Sequence, residues 1–280
     1  MKDRIYFGDN LPLLKKMPSG SVNLIYIDPP FNTGKQRSRE VLATVRDENG
    51  DRTGFGGRRY ATRKLGETNF GDEFQNFGTF IAPRLEEAYR VLADNGTLYF
   101  HIDYREVHYC KVQLDEIFGR RCFLNEIIWA YDYGGRPKRR WPPKHDNILV
   151  YVKDARNYTF NTEDIDRIPY MAPGLVGEEK AKKGKLPTDT WWHTIVGTNS
   201  REKTGYPTQK PQGVLRRIVA ASSNPGDLVM DFFAGSGTTG AVAQELHRHF
   251  LLIDNNPQAI ETMRRRFADF SDIEWIDAES

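Results

Sequence analysis

Cysteine is scarce in this chain: there are two in 280 residues, Cys110 and Cys122. That excludes a disulfide-stapled fold, and idle or buried thiols imply a reducing compartment. The cysteines sit in Tyr-Cys-Lys and Arg-Cys-Phe contexts without metal-ligand spacing, and the six histidines form none either, so no metal is expected. Long apolar runs are missing too. None approaches the roughly 20 residues that span a bilayer, and Met1-Lys2-Asp3-Arg4-Ile5 has no signal-peptide character. The expectation is a cytoplasmic protein with no membrane partner. Net charge is nearly absent, at +2 from 40 basic and 38 acidic side chains. Attraction to a polyanion must therefore come from local patches. No Gly-Lys-Ser/Thr follows a glycine-rich turn, which excludes a phosphate-cradling P-loop.

What is present alternates strand and helix, as a parallel sheet demands. Strands are expected at 4–7, 21–27, 97–102, 228–232 and 250–254, with helices at 11–17, 79–93, 105–118, 211–223, 241–246 and 257–268. The segments 127–130 and 148–153 look like a paired antiparallel edge. This predicts an α/β fold, mostly parallel with an antiparallel edge, in one domain over 1–280. Two stretches break the pattern: a basic loop at 32–75, and an insertion at about 155–205 around Trp191-Trp192. Loops that long are usually functional or disordered.

The apolar run Ser21–Ile27 ends in Asp28-Pro29-Pro30-Phe31. An acid at the carboxyl end of such a strand sits where open α/β sheets hold ligands. The prolines lack N–H donors and leave carbonyl acceptors. A carboxylate, carbonyls and an aromatic plate suit a planar group carrying an NH2, such as the amino edge of a nucleobase. Far along the chain a second strand runs into Asp231-Phe232-Phe233-Ala234-Gly235-Ser236-Gly237-Thr238-Thr239-Gly240, then a helix. Its glycines allow close backbone approach, and the helix start offers N–H groups. Asp254 ends the following strand, at the distance where an α/β site binds a ribose hydroxyl pair. By itself Gly235-x-Gly237-x-x-Gly240 also fits a dinucleotide fingerprint.

Together these motifs make the chain resemble the beta class of amino-group DNA methyltransferases. Such enzymes move a methyl group from S-adenosyl-L-methionine to the exocyclic N6 of adenine. In that class the Asp-Pro-Pro-aromatic motif precedes the Phe-x-Gly-x-Gly motif, as 28 precedes 233 here. Gly8-Asp9-Asn10 is similar to the turn that contacts the cofactor adenine, and Tyr206–Pro211 to the segment leading into the cofactor pocket. Asn125–Trp129 and Lys144–Leu149 resemble the strand pair after the catalytic half. The resemblance implies a Rossmann-like S-adenosylmethionine-dependent methyltransferase fold with circularly permuted motif order. It implies catalysis by Asp28, Pro29, Pro30 and Phe31. Cofactor binding falls to Asp9, Asp231, Phe233, Ala234, Gly235, Ser236, Gly237, Thr238, Asp254 and Lys210. A homodimer and a restriction-system partner follow as family expectations.

The amino group lies inside the duplex, so the base must flip out, at a cost of a few kcal/mol. Arg136, Lys138, Arg139, Arg140 and Lys144 crowd around Trp141 without an acid among them and are the expected grip on double-stranded DNA. Between 35 and 64, nine basic residues oppose four acids. The run Glu178–Lys183 reads as a solvated surface. Methylation of cytosine at N4 is the alternative; there the family usually carries Ser-Pro-Pro-Tyr, so Asp28 and Phe31 favour adenine. Neither cysteine follows a proline, which argues against ring-carbon methylation through a thiol nucleophile. A nicotinamide-dependent dehydrogenase leaves Asp28–Phe31 unexplained, and a non-catalytic DNA-binding module has no need of the glycine turn or Asp254.

Overall fold

The computed structural model describes residues 2–30, 37–46, 52–53, 59–70 and 77–277. In chain order the strands are β1 (Asp3–Phe7), β2 (Val22–Ile27), β3 (Arg37–Arg46), β4 (Arg52–Thr53), β5 (Arg59–Phe70), β6 (Leu92–Ile102), β7 (Phe123–Ala130), β8 (His145–Val152), β9 (Thr190–Trp192), β10 (Leu228–Asp231), β11 (His249–Asp254) and β12 (Ile273–Asp277). The helices are α1 (Asn10–Lys16), α2 (Phe77–Val91), α3 (Val107–Phe118), α4 (Glu178–Lys183), α5 (Gln212–Ser222), α6 (Thr238–Glu245) and α7 (Pro257–Arg266). No helix among the described residues is long and apolar enough to cross a membrane.

Nine strands form one sheet in the order β12-β1-β11-β10-β2-β6-β8-β7-β9. From β12 to β6 every pairing is parallel; β8 is reversed, and β7 and β9 return to the first direction. The expected antiparallel edge is the β7–β8 ladder. Strands buried on both faces read as continuous apolar runs. Accordingly Leu24, Ile25, Tyr26 and Ile27 of β2 are all buried. One face carries Leu24, Tyr26, Val229, Phe250 and Leu252 against the apolar stripes of α5 (Val214, Leu215, Ile218, Val219), α6 (Val242, Ala243) and α7 (Ala259, Ile260, Met263). Those helical spacings are what bury a helix face on a sheet. The alternate residues of each strand point the other way. Asp9 caps α1, accepting the Leu11 N–H at 3.2 Å. Asn256 caps α7, with Pro257 in its first turn.

The chain divides into two compact units, Met1–Pro29 with Gly78–Ser280, and Pro30–Phe77, where a single domain was expected. The second unit also corrects the expected loop at 32–75. Its described residues make a three-stranded antiparallel sheet, with β3 paired to β5 from Arg37↔Phe70 to Arg46↔Tyr60, and β4 paired to the start of β5. Interspersed arginines disguised strand-prone segments such as Val41-Leu42-Ala43-Thr44-Val45. Three elements of the first unit also lay outside the expected set. β9 is only three residues long, β12 is a five-residue strand of mixed polarity, and α4 buries no side chain. The segment 155–205 is otherwise irregular and is tied to α5. Asn161 Nδ2 donates to the Ser223 carbonyl at 2.9 Å, and Arg217 forks the Asp166 carboxylate with two bonds of 2.7 Å.

Candidate active site

β10 lies beside β2, with Val229 opposite Leu24 and Met230 opposite Ile25. From this pair the chain turns outward both ways, β10 toward β11 and β2 toward β6. Such a reversal of strand order opens a crevice at the carboxyl ends of the strands. It brings Asp28 and Asp231 to adjacent strand ends, although 203 positions separate them in the sequence.

On one side is the turn after β10. Asp231 is buried, its carboxylate accepting the Phe233 N–H at 3.0 Å and the Thr239 hydroxyl at 2.6 Å. Burial pushes its carboxyl up to about 7, against the pull of those two bonds. Gly235 and Gly237 have φ of 51° and 73°, the left-handed region that favours glycine. A Cβ on Gly237 would lie 2.8 Å from Met263 Cγ, so this glycine lets the start of α6 seat on α7. A Cβ on Gly235 would approach Tyr206 Cε1 at 3.2 Å instead. Asp254 accepts the Gly235 N–H at 2.7 Å and the Asn256 N–H at 2.8 Å, and burial pushes its carboxyl up to about 6. The Gly8 N–H donates to the Asp254 carbonyl at 3.1 Å, which places the Gly8-Asp9-Asn10 turn beside this strand end. Asn10 Nδ2 donates to the Phe232 carbonyl at 2.7 Å. Arg84, which no motif flagged, binds Asn10 at 2.6 Å and Asp9 at 3.0 Å from α2.

These residues suit S-adenosylmethionine. Each Asp254 oxygen keeps a second lone pair for a hydroxyl donor, and Gly235 is partly exposed where a side chain would crowd Tyr206. The expected cofactor residues nevertheless divide. Phe233, Gly235 and Asp254 keep partial exposure. Asp231, Ser236 and Thr238 are buried, and the last two bond each other at 3.0 Å. The latter group, with Ala234 and Gly237, shapes the turn from within. Asp231, expected among the cofactor residues, is buried and spends both oxygens on bonds within the turn.

On the other side is Asp28. Its Oδ2 accepts from Lys210 Nζ, across 182 positions of sequence. Lys210, expected in the cofactor pocket, is thus joined to the carboxylate expected to be catalytic. Asp28 Oδ1 is buried and has no hydrogen-bond partner among the described residues. Behind it stands His101, whose Nδ1 lies 3.9 Å away. His101 is fully buried, meeting the Tyr26 hydroxyl at 2.8 Å and Asp146 at 3.2 Å. The Tyr131 hydroxyl donates to the other Asp146 oxygen at 2.9 Å. Burial opposes the Asp146 charge, but His101, Lys210 and Tyr131 hold its carboxyl below the usual range. Burial, with Asp28 and other acids, drives the Tyr26 phenol well above its ordinary value. His101 and Asp146 carried no sequence signal of this role. Pro29 is buried and Pro30 partly so, while Phe31 lies outside the described residues.

The basic cluster occupies the β7–β8 connection, which leads straight into Asp146. Trp141 is 93% exposed there, with Lys138, Arg139 and Arg140 also exposed. Two members of the cluster have other duties. Arg136 is forked on Asp132 at 2.7 and 2.8 Å, an acid just outside the run. Lys144 donates to the carbonyls of Tyr133, Gly134 and Gly135, at 2.5, 2.8 and 3.0 Å, and closes the loop on itself.

Comparison with known proteins agrees with this geometry. The family model described as DNA methylase, for the N6/N4 methyltransferases, matches residues 22–265. The chain is 32% identical over 275 residues to the DNA adenine methyltransferase YhdJ of Escherichia coli K12, covering 94% of this chain and 81% of that protein. It is 30% identical over 278 residues to the type II methyltransferase M.HpaI of Haemophilus parainfluenzae, covering 99% and 78%. Among solved structures, a DNA modification methylase of Thermus thermophilus, complexed with S-adenosyl-L-methionine, superposes with a TM-score of 0.62 at 20% identity, covering 99% of each chain. The α/β fold is therefore that of the S-adenosylmethionine-dependent methyltransferases. With its Asp-Pro-Pro and glycine-turn motifs at adjacent strand ends, the chain belongs to the N6/N4 DNA methylase family and is an enzyme of that class.

Proposed function

We propose that the protein transfers a methyl group from S-adenosyl-L-methionine to N6 of an adenine flipped out of duplex DNA. One observation carries this reading: the buried Oδ1 of Asp28, without a hydrogen-bond partner among the described residues, at the carboxyl end of β2 and next to the cofactor-type turn of β10. A buried acceptor without a donor is costly. An exocyclic amino group supplies the missing donor. The name of the Escherichia coli relative, a DNA adenine methyltransferase, supports adenine as the target. The type II name of the Haemophilus relative supports a companion restriction enzyme. A homodimer is the family expectation, and sedimentation at several concentrations tests it.

The chemistry follows from the residues. An amino nitrogen conjugated to the ring is a poor nucleophile because its lone pair is delocalised. Asp28 Oδ1 and the Pro29 carbonyl accept its two N–H bonds and draw it toward tetrahedral geometry, which localises the lone pair. As the N–C bond forms, one N–H proton is shed, and Asp28 is the acceptor in contact. Bound S-adenosylmethionine would supply the activated methyl group on its sulfonium, the S–C bond breaking with its electron pair left on the departing thioether. Asp254, Phe233, Gly235 and the Gly8-Asp9 turn would hold it. Most of the rate gain is positioning, which in well-oriented systems is worth several kcal/mol. Phe31 stacks on the extruded base. Lys138, Arg139 and Arg140 hold the phosphates.

The test is single-turnover transfer of labelled methyl to duplex DNA, followed by digestion to nucleosides. Label on N6 of adenine is the expected result. Label on N4 of cytosine, the activity named for the PvuII methyltransferase of similar fold, would replace adenine with its alternative.

A further inference from the structure

Asp28 is served unequally. One of its oxygens meets a cation, the other no hydrogen-bond donor among the described residues. The ion pair with Lys210 is largely buried, with side chains 14% and 13% exposed. Buried ion pairs contribute little net stability, because desolvation offsets the attraction. Their clearer effect is to hold geometry. The neighbourhood needs that cation, since Asp28 also lies close enough to help raise the Asp231 carboxyl.

The histidine behind Asp28 completes the asymmetry. The Tyr26 hydroxyl, its phenol well above the ordinary value, lies 2.8 Å from His101 Nδ1. Asp146 is held ionised, so it accepts from His101 Nε2. Both ring nitrogens of His101 are thus engaged, Nε2 by Asp146 and Nδ1 by the Tyr26 hydroxyl. At 3.9 Å, Nδ1 is too far from Asp28 Oδ1 to be its hydrogen-bond donor. With Oδ2 held and Oδ1 given no donor from behind, only one oxygen is left to serve a substrate.

We propose that Lys210 is a positioning residue of the catalytic carboxylate. Its ammonium holds Asp28 Oδ2, so that Oδ1 is the acceptor presented to the target amino group. The inference rests on the methyl-transfer reading above and reassigns Lys210 from the cofactor to the nucleophile side.

The experiment compares wild type with Lys210→Met and Lys210→Arg, each shown to be folded by its thermal melt. Cofactor Kd is measured by calorimetry, and methyl transfer in single turnover at saturating S-adenosylmethionine. Lys210→Met should slow transfer about 10- to 100-fold, the range for losing a charge-assisted bond. Its cofactor Kd should stay within about threefold of wild type, and Lys210→Arg should recover part of the rate. A weakened Kd with a wild-type rate at saturation would make Lys210 a cofactor ligand and overturn the proposal. No change in either would also overturn it. If both fall, Asp28→Asn/Lys210→Met decides: independent, additive losses in rate overturn the idea, whereas a double variant no slower than Asp28→Asn upholds it. A wild type that transfers no methyl to DNA would remove the parent reading instead, a distinct outcome.

Discussion

The acids that end β10 and β11 differ from the acid that follows β2 in what surrounds their oxygens. Asp231 and Asp254 have every carboxylate oxygen met by a backbone N–H or a hydroxyl within the protein. Asp28 has one oxygen on a lysine and the other bare of donors among the described residues. A carboxylate met from inside at both oxygens organises its turn, and the partly exposed Asp254 does so while keeping lone pairs for an outside hydroxyl. A carboxylate left half-satisfied in a buried place is waiting for a donor from outside. The same three letters in the sequence thus name two kinds of work.

The largest expected effect tests that division directly. Asp28→Ala should retain cofactor affinity while methyl transfer falls by about two orders of magnitude or more, as at other positioned transition-state hydrogen bonds. Single-turnover rates beside calorimetric titration measure both, and full activity in the variant would end the catalytic assignment. The glycines divide in the same manner. Gly235→Arg should abolish S-adenosylmethionine binding in a folded protein, because its side chain enters the space beside Tyr206. Gly237→Ala meets Met263 and Phe267 in the core and should instead cost stability, about 1–3 kcal/mol by denaturant titration. Equal affinity loss in both would erase the distinction between lining and scaffold.

A smaller effect concerns pH. Asp231 binds its proton more tightly folded, near 7, than in the unfolded chain, near 3.8. The folded state therefore carries the extra proton, and stability from this group is present below about 4 and lost as pH rises toward 7. The slope is at most about 1.4 kcal/mol per pH unit. Asp231→Asn keeps the acceptor for Phe233 and removes the titration. The stability of wild type relative to this variant should fall from pH 4.5 to 7.5 in urea titrations, and a flat difference would contradict the burial argument. The smallest effects belong to the β7–β8 loop. Replacing Lys138, Arg139 and Arg140 with alanine should weaken all duplexes alike, and each lost phosphate contact should reduce the log–log salt slope by about 0.9. Arg136→Ala should change it less, because Asp132 already neutralises that guanidinium. A slope equal to wild type in the triple variant would make the cluster a solvated face.

Much of the frame was legible from periodicity. The buried runs of β2, β10 and β11 are too apolar to lie anywhere but inside a covered parallel sheet, and the stripes on α5 and α7 say which helices cover it. Short or sparsely packed pieces escaped. Three residues of β9 carry no period, and α4 buries nothing that could mark it. In the site, acids at strand ends were visible because they interrupt apolar runs. Arg84, His101 and Asp146 were not, since each sits within an ordinary helix or strand and matters only through a partner elsewhere.

By itself, the amino-acid sequence determined the two motifs, their permuted order, and the strand that each terminates. Those are local properties, set by side-chain period and by backbone freedom at proline and glycine. Only the tertiary structure decided that β2 and β10 are neighbours, that Lys210 reaches Asp28, and that Lys144 closes its own loop. It also decided which oxygen of Asp28 is left without a donor among the described residues. A charge announces itself in sequence, but its partner is chosen by distance in space, and here that distance spans 182 positions of chain.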